Sequence, residues 1–211
     1  MNERRYIQKL IAEGEHQQQD FKYKISDAMK LARSVSAFAN TDGGRLLIGV
    51  RDDGHISGVR SEEEIFMMHA AAYKYCRPSA SIKFDTYQID GRTLVIATVP
   101  PSERKPICAL TDEGRYRAYI RVADENIVAS PVHVAIWREQ QSPQGQLTVY
   151  DEAEQQLLSA LAFGPCQTLN QIVRRSRLQR QKAITLLARL VRYGIVEMQL
   201  ADHRFLFTAV E

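Results

Sequence analysis

The stretch SVSAFANTDGGRLLIGVRDDGHISGV, Ser34–Val59, carries the most information about the first half of the chain, because its apolar residues change period in the middle. Ala28, Leu31, Ala32, Val35, Phe38 and Ala39 recur at helical spacing, and Ser26 is placed to cap that helix. Asn40-Thr41-Asp42-Gly43-Gly44 ends it, with glycines expected at positive φ. Arg45–Val50, RLLIGV, then reads as a buried strand, closed by a turn at Asp52-Asp53-Gly54. This order, helix then glycines then strand, is the reverse of a phosphate-cradling loop, in which a helix N-terminus faces the anion.

On either side of this passage, residues 3–13 form a short amphipathic helix and Gln17–Lys24 a strand. A helix is expected over Ser61–Cys76, with Ser61 and Glu64 as a capping box. Strands follow at Ala80–Ile89, Arg92–Val99 and Tyr116–Val122, the first two joined by the hairpin signal Asp90-Gly91. Pro131 opens a helix running to about Glu139, whose Trp137 is expected to pack on the first domain or at an interface. Strand pairs joined by tight turns, with helices interspersed, predict an α+β fold with a mixed sheet.

The run QQSPQGQ, Gln140–Gln146, has no periodicity and reads as a linker. The expected division is a domain over 1–140, a linker over 141–149 and a small domain over 150–211. In the last, Asp151 and Glu154 form a capping box, Thr168–Arg175 and Gln179–Tyr193 are helices, and Ile195–Leu200 and Arg204–Thr208 are two strands around a polar turn. Three helices followed by a two-stranded ribbon is the pattern of a winged helix-turn-helix.

Composition agrees with a folded protein. Of 211 residues, 45% are hydrophobic and 25% charged, which excludes disordered and low-complexity classes. No apolar run approaches a membrane span, and the charged N-terminus lacks the apolar core of a signal peptide. The three cysteines, Cys76, Cys108 and Cys166, are too dispersed for a metal motif and point to a reducing, cytoplasmic compartment. Net charge is only +3, but between Gln167 and Val196 every charged residue is basic: Arg174, Arg175, Arg177, Arg180, Lys182, Arg189 and Arg192. A one-sign block within a folded pattern points to an anionic partner.

On the last long helix, Ala183, Leu186, Leu187, Leu190 and Val191 fall on one side and Gln181, Lys182, Thr185, Arg189 and Arg192 on the other. Amide, hydroxyl and cationic groups near the N-terminus of such a helix suit base edges in a DNA groove. Arg174, Arg175 and Arg177, before the helix, are expected on backbone phosphates, and Arg180 is a further DNA-binding candidate. In the first domain, Lys22, Lys24 and Arg121 are the candidates for nucleic-acid contact, although Arg121 on its strand could equally pair with Asp124. The five histidines are scattered, so no metal site and no cofactor is expected from the residues themselves.

Ordered motifs over roughly residues 10–135 carry a resemblance. They are Glu15, Asp20-Phe21-Lys22, Ala37-Phe38-Ala39-Asn40, Asp42-Gly43-Gly44, Ile48-Gly49-Val50, Asp52-Asp53-Gly54, Gly58-Val59, Lys105-Pro106 and Tyr119-Ile120-Arg121-Val122. Together they resemble the Schlafen AlbA_2 family. The resemblance implies a domain that contacts nucleic acid and, in bacteria, is often followed by a winged helix in proteins called transcriptional regulators. It also implies an alternative, a metal-dependent endoribonuclease acting on structured RNA. The family's nuclease-active members use three carboxylates, which carry over to Glu15, Asp20 and Asp52, with Asp53 as neighbour; such oxygens suit Mg²⁺ or Mn²⁺. Two residues depart from that pattern: Asp20 stands where the nucleases have Glu, and Arg51 where they often have another Asp. The expected function is therefore that of a cytoplasmic, DNA-binding transcription regulator. It is expected to be a homodimer, because one recognition helix reads few base pairs.

Overall fold

The computed structural model describes residues 3–59, 62–140 and 151–210. Contacts divide the chain into Met1–Val128 and Ala129–Glu211. The expected linker, 141–149, lies outside the described residues.

The first unit contains α1 (Glu3–Glu13), β1 (Gln19–Lys22), α2 (Ala28–Asn40), β2 (Gly44–Ile48), α3 (Glu63–Tyr73), β3 (Cys76–Arg77), β4 (Lys83–Ile89), β5 (Arg92–Val99), β6 (Cys108–Leu110), β7 (Tyr116–Val122) and β8 (Glu125–Val128). They make two four-stranded sheets, ordered β1-β2-β5-β4 and β3-β6-β7-β8. β1 and β2 are parallel, joined through α2, whereas every other pairing is antiparallel. The mixed α+β expectation therefore holds. Because β2 is covered on both faces, it alternates between two cores rather than between core and solvent. Leu46 and Ile48 face α2 and α3, while Leu47 and Val50 join Ile7 and Leu10 of α1.

The centre of the unit is α2, with nine of its thirteen residues buried. A helix covered almost all round needs its polar positions satisfied from within the protein. Ser36 and Asn40 meet this need by acting as substitute backbone for the second sheet. The Ser36 hydroxyl donates to Ile107 O at 2.7 Å and accepts from Tyr119 N at 3.1 Å. The Asn40 amide donates to Ile107 O at 2.8 Å and Tyr119 O at 2.9 Å, and accepts from Ile107 N at 2.8 Å.

Several local expectations shift. Asp27, not Ser26, caps α2, its carboxylate accepting from Met29 N and Lys30 N at 2.9 and 3.1 Å. Gly43 has the expected positive φ of 73°. Gly44 is needed for a different reason: a Cβ there would run into the Phe38 ring. α3 starts after Glu62 without a side-chain cap, and Ser61 lies outside the described residues. The Asp90-Gly91 hairpin forms as read, with φ of 50° and 73° suited to a two-residue type I′ turn.

The second unit holds α4 (Pro131–Gln140), α5 (Glu152–Leu161), β9 (Gln167–Thr168), α6 (Leu169–Ser176), α7 (Arg180–Arg192), β10 (Val196–Ala201) and β11 (Arg204–Ala209). β10, β11 and β9 form an antiparallel three-stranded sheet in that order. α4 was expected to close the first domain at residue 140. It packs instead with α7: Val132, Ala135 and Ile136 join the cluster that holds Ile184 and Ala188. The boundary accordingly falls at Val128/Ala129. Asp151 caps α5 through Glu154 N at 2.9 Å. A full capping box appears at Thr168 and Gln171 instead. Among the described residues, no helix is long and apolar enough to cross a membrane.

This packing has two measurable consequences. Asn40→Ala removes the side-chain partner of Ile107 N and Tyr119 O, while Ile107 O keeps its bond from Ser36, and is expected to lower unfolding free energy by about 2 kcal/mol in chemical denaturation. The second concerns His133, enclosed by Phe205 at 4.8 Å and Trp137 at 5.9 Å between ring centroids and joined to Ser130 Oγ at 2.9 Å. Burial lowers its pKa to about 4. A histidine depressed in the folded state is protonated preferentially in the unfolded chain. Its contribution is therefore complete above about pH 6.5 and is lost as pH falls toward 4, by at most about 3 kcal/mol. Comparing thermal melts of the parent and His133→Phe over this window should show the parent losing more.

Candidate nucleic-acid interface

In the first unit, a loop of three glutamines places the chemistry at the start of β1. The Gln17 amide donates to Asp42 Oδ2 at 3.3 Å and Arg121 O at 2.8 Å, and the Gln18 amide to Asp42 O at 2.9 Å. That of Gln19 donates to Leu10 O at 2.6 Å and Gly14 O at 2.7 Å, and its oxygen accepts from Arg45 Nε at 2.7 Å. The loop so fixed turns Glu15 back onto the strand, where its carboxylate accepts from Phe21 N at 2.8 Å. Glu15 and Asp20 meet there. The Glu15 carboxyl is raised above its usual range, first by its hydrogen bond with Asp20 and then by burial, while the Phe21 N–H pulls the other way. A neighbouring acid disfavours the charged form of a carboxyl, which is the sense of the shift.

Asp20 is buried, and its two oxygens are already engaged. Lys22 Nζ lies 2.8 Å from Oδ2 and the Arg121 guanidinium 3.6 Å from Oδ1. Arg121 is only 2% exposed. It donates to Asn126 Oδ1 at 3.0 Å and Gln19 O at 3.2 Å, lies 5.2 Å from the Phe38 ring centroid, and leaves its buried Nε without a partner. This corrects the expectation for Arg121: it positions Asp20 from beneath and is closed to nucleic acid, and its strand partner is Asn126 rather than Asp124. Lys22 is half-buried and held by Asp20; Lys24 is exposed.

The carboxylate trio does not assemble. Asp52 and Asp53 are exposed in their turn, Asp53 taking up His55 N at 2.9 Å. Among the described residues, no group of three His, Cys, Asp or Glu side chains is arranged to hold a metal ion. Glu15 and Asp20 as a pair are a poor seat for Mg²⁺ or Mn²⁺, because Lys22 and Arg121 put positive charge where the ion would stand. The sequence hid this because Arg121 lies about a hundred residues beyond Asp20.

In the second unit, the basic residues fall into two groups. Arg174, Arg175, Arg177 and Arg180 are exposed around the α6–α7 corner. Arg177 turns that corner in the left-handed region, φ 57°. Their partners are neutral: Arg175 donates to Gln167 Oε1 at 2.5 Å and Arg180 to Asn170 Oδ1 at 2.6 Å, so their charge is uncompensated. The cations further along α7 face acids instead. Lys182 lies 3.4 Å from Asp151, and Arg189 lies 3.2 Å from the buried Glu154. Gln181 is exposed, and Thr185 donates to Gln181 O at 3.1 Å. Ile184 and Ala188 are buried along with Ala183, Leu186, Leu187 and Leu190, leaving a narrower polar stripe than the sequence predicted, while Val191 is half-buried. Arg192 donates to Glu139 O at 3.2 Å, closing the end of α4.

The family model described as Schlafen, AlbA_2 matches residues 15–130. No curated protein matches the chain. Among solved structures, the chain is similar to the DIP2311 protein of Corynebacterium diphtheriae, at 23% identity over 69% of this chain and 34% of that one, with a TM-score of 0.45. It is also similar to the N-terminal domain of a RecG-related protein from Nitrosomonas europaea, at 20% identity over 71% of this chain and 96% of that one, with a TM-score of 0.39. This chain thus spans about a third of the Corynebacterium protein. The matched segment is more than half of the sequence and contains α2, both sheets and the Glu15–Asp20 pair, and the chain belongs to the Schlafen, AlbA_2 family.

Proposed function

We propose that this protein is a DNA-binding transcription regulator whose second unit is a winged helix that docks on duplex DNA through the α6–α7 corner. The observation that carries the reading is the set of four exposed arginines at that corner, none paired with a carboxylate among the described residues. The element order of α5, β9, α6, α7, β10 and β11 supports it, with the β10–β11 hairpin in the position of a wing. Family membership supports a nucleic-acid-related role for the chain as a whole.

In this reading, phosphate neutralisation at the corner supplies affinity, and Gln181, with Thr185 behind it, meets base edges. Lys182 and Arg189 act mainly by holding α7 against Asp151 and Glu154. A homodimer places two such units on neighbouring half-sites. The endoribonuclease reading has one observation in its favour, the hydrogen-bonded Glu15–Asp20 pair. The cations on Asp20 and the separate placement of Asp52 weigh against it.

Binding to duplex DNA, measured against salt, should show a steep linear fall of log affinity with log salt. Arg174→Ala with Arg177→Ala is expected to reduce the slope by about 2, near 0.9 for each phosphate that is no longer neutralised. Lys182→Ala should change it by a good deal less, and a flat salt dependence in the parent would remove the reading. Incubation of structured RNA with Mn²⁺ is expected to leave the RNA intact; metal-dependent cleavage abolished by Glu15→Gln would establish the nuclease instead.

A further inference from the structure

We propose that the cleft beyond the carboxyl end of β1 binds a phosphomonoester, carried on the 5′ end of a nucleic-acid strand or on a free mononucleotide. The cleft has a volume of about 160 Å³ and lies where the chain passes from β1 into α2. Lys22, Lys24 and Lys30 line it. Lys22 is held by Asp20, but the ammonium groups of Lys24 and Lys30 make no ion pair among the described residues. Asp27 is the one acid in the lining, and its Oδ1 already accepts from Met29 N and Lys30 N. The end of α2 is thereby satisfied, and a ligand would be held by side chains.

A second observation points to an acceptor in the same place. Ser34 lines the cleft yet is only 4% exposed. Its Oγ accepts from Asn126 Nδ2 at 3.0 Å, and its own proton has no acceptor among the described residues. Buried hydroxyl donors are normally satisfied, so the cleft offers a spare donor together with two unpaired cations. An oxyanion uses all three. The buried Ile25 and Leu31 give the remaining wall an apolar surface suited to ribose carbons.

Size and charge select a terminal phosphate. The volume equals that of about five water molecules, enough for a phosphate and part of a sugar and too small for a duplex. A monoester carries about −1.5 to −2 at neutral pH, against −1 for an internal diester, and so better matches the two free ammonium groups. The strand-end source rests on the nucleic-acid role proposed above, but the site lies in the first unit and does not depend on duplex binding by the second.

The test uses the full chain and fluorescence anisotropy with one single-stranded oligonucleotide, bearing either a 5′-phosphate or a 5′-hydroxyl. The phosphorylated form is expected to bind about tenfold more tightly, the strength of one or two charge-assisted contacts. Lys24→Glu with Lys30→Glu should abolish that preference. Ser34→Ala should reduce it while leaving the circular dichroism spectrum and the duplex affinity unchanged. Competition by adenosine monophosphate, but not by adenosine, would assign the site to free mononucleotides as well; competition by neither would assign it to strand ends. Equal affinity for both oligonucleotides with no binding of the monophosphate overturns the proposal, as does a preference that survives the double lysine variant. Duplex binding measured on the same samples separates this failure from failure of the regulator reading.

Discussion

The first unit depends on two polar side chains of one buried helix. Ser36 and Asn40 give α2 a hydrogen-bonding edge, and through it the helix pairs with the backbone at Ile107 and Tyr119 as a strand would. Without that edge the second sheet would face an apolar helix with unmatched N–H and C=O groups, each costly to bury. The same edge continues one residue further: Thr41 Oγ1 accepts from Arg121 N at 2.9 Å while donating to Ala37 O at 2.7 Å. The end of α2 therefore sets the position of Arg121, and Arg121 sets the electrostatics beneath Asp20.

That chain of contacts explains why the carboxyl pair behaves as it does. Asp20 is buried, and its charge is tolerable there because a guanidinium and an ammonium flank it. Glu15 stands outside that shelter and is the member whose acidity is shifted upward, chiefly through Asp20. The cations already held on Asp20 leave the pair poorly suited to gathering a divalent ion. Beyond it, Lys24 and Lys30 line the neighbouring cleft and make no ion pair among the described residues, whereas Lys22 is held by Asp20.

The second unit repeats the contrast on a smaller scale. Acids at the start of α5 take up the cations midway along α7, while the α6–α7 corner offers its arginines only neutral partners. The packing of α4 on α7 narrows the exposed stripe of that helix further. Most of the unit's uncompensated positive charge thus gathers at the corner, where the chain turns through Arg177.

Local pattern was enough to read the α+β class, the central helix–strand passage, the limits of α1, β5 and β7, and the polar stripe of α7. These are written in periodicity and turn chemistry, which neighbouring residues settle among themselves. β3, β6, β8 and β9 escaped it because two to four residues cannot display an alternation, and α4 was placed with the wrong unit because its apolar face names no partner. The pairing of Arg121 with Asp20, the separation of Asp52 from Glu15 and the unequal fates of the α7 cations emerged only once the chain was folded. Charge compensation acts across space, between groups as far apart in the chain as 20 and 121 or 154 and 189, and a one-dimensional pattern does not record which of them meet.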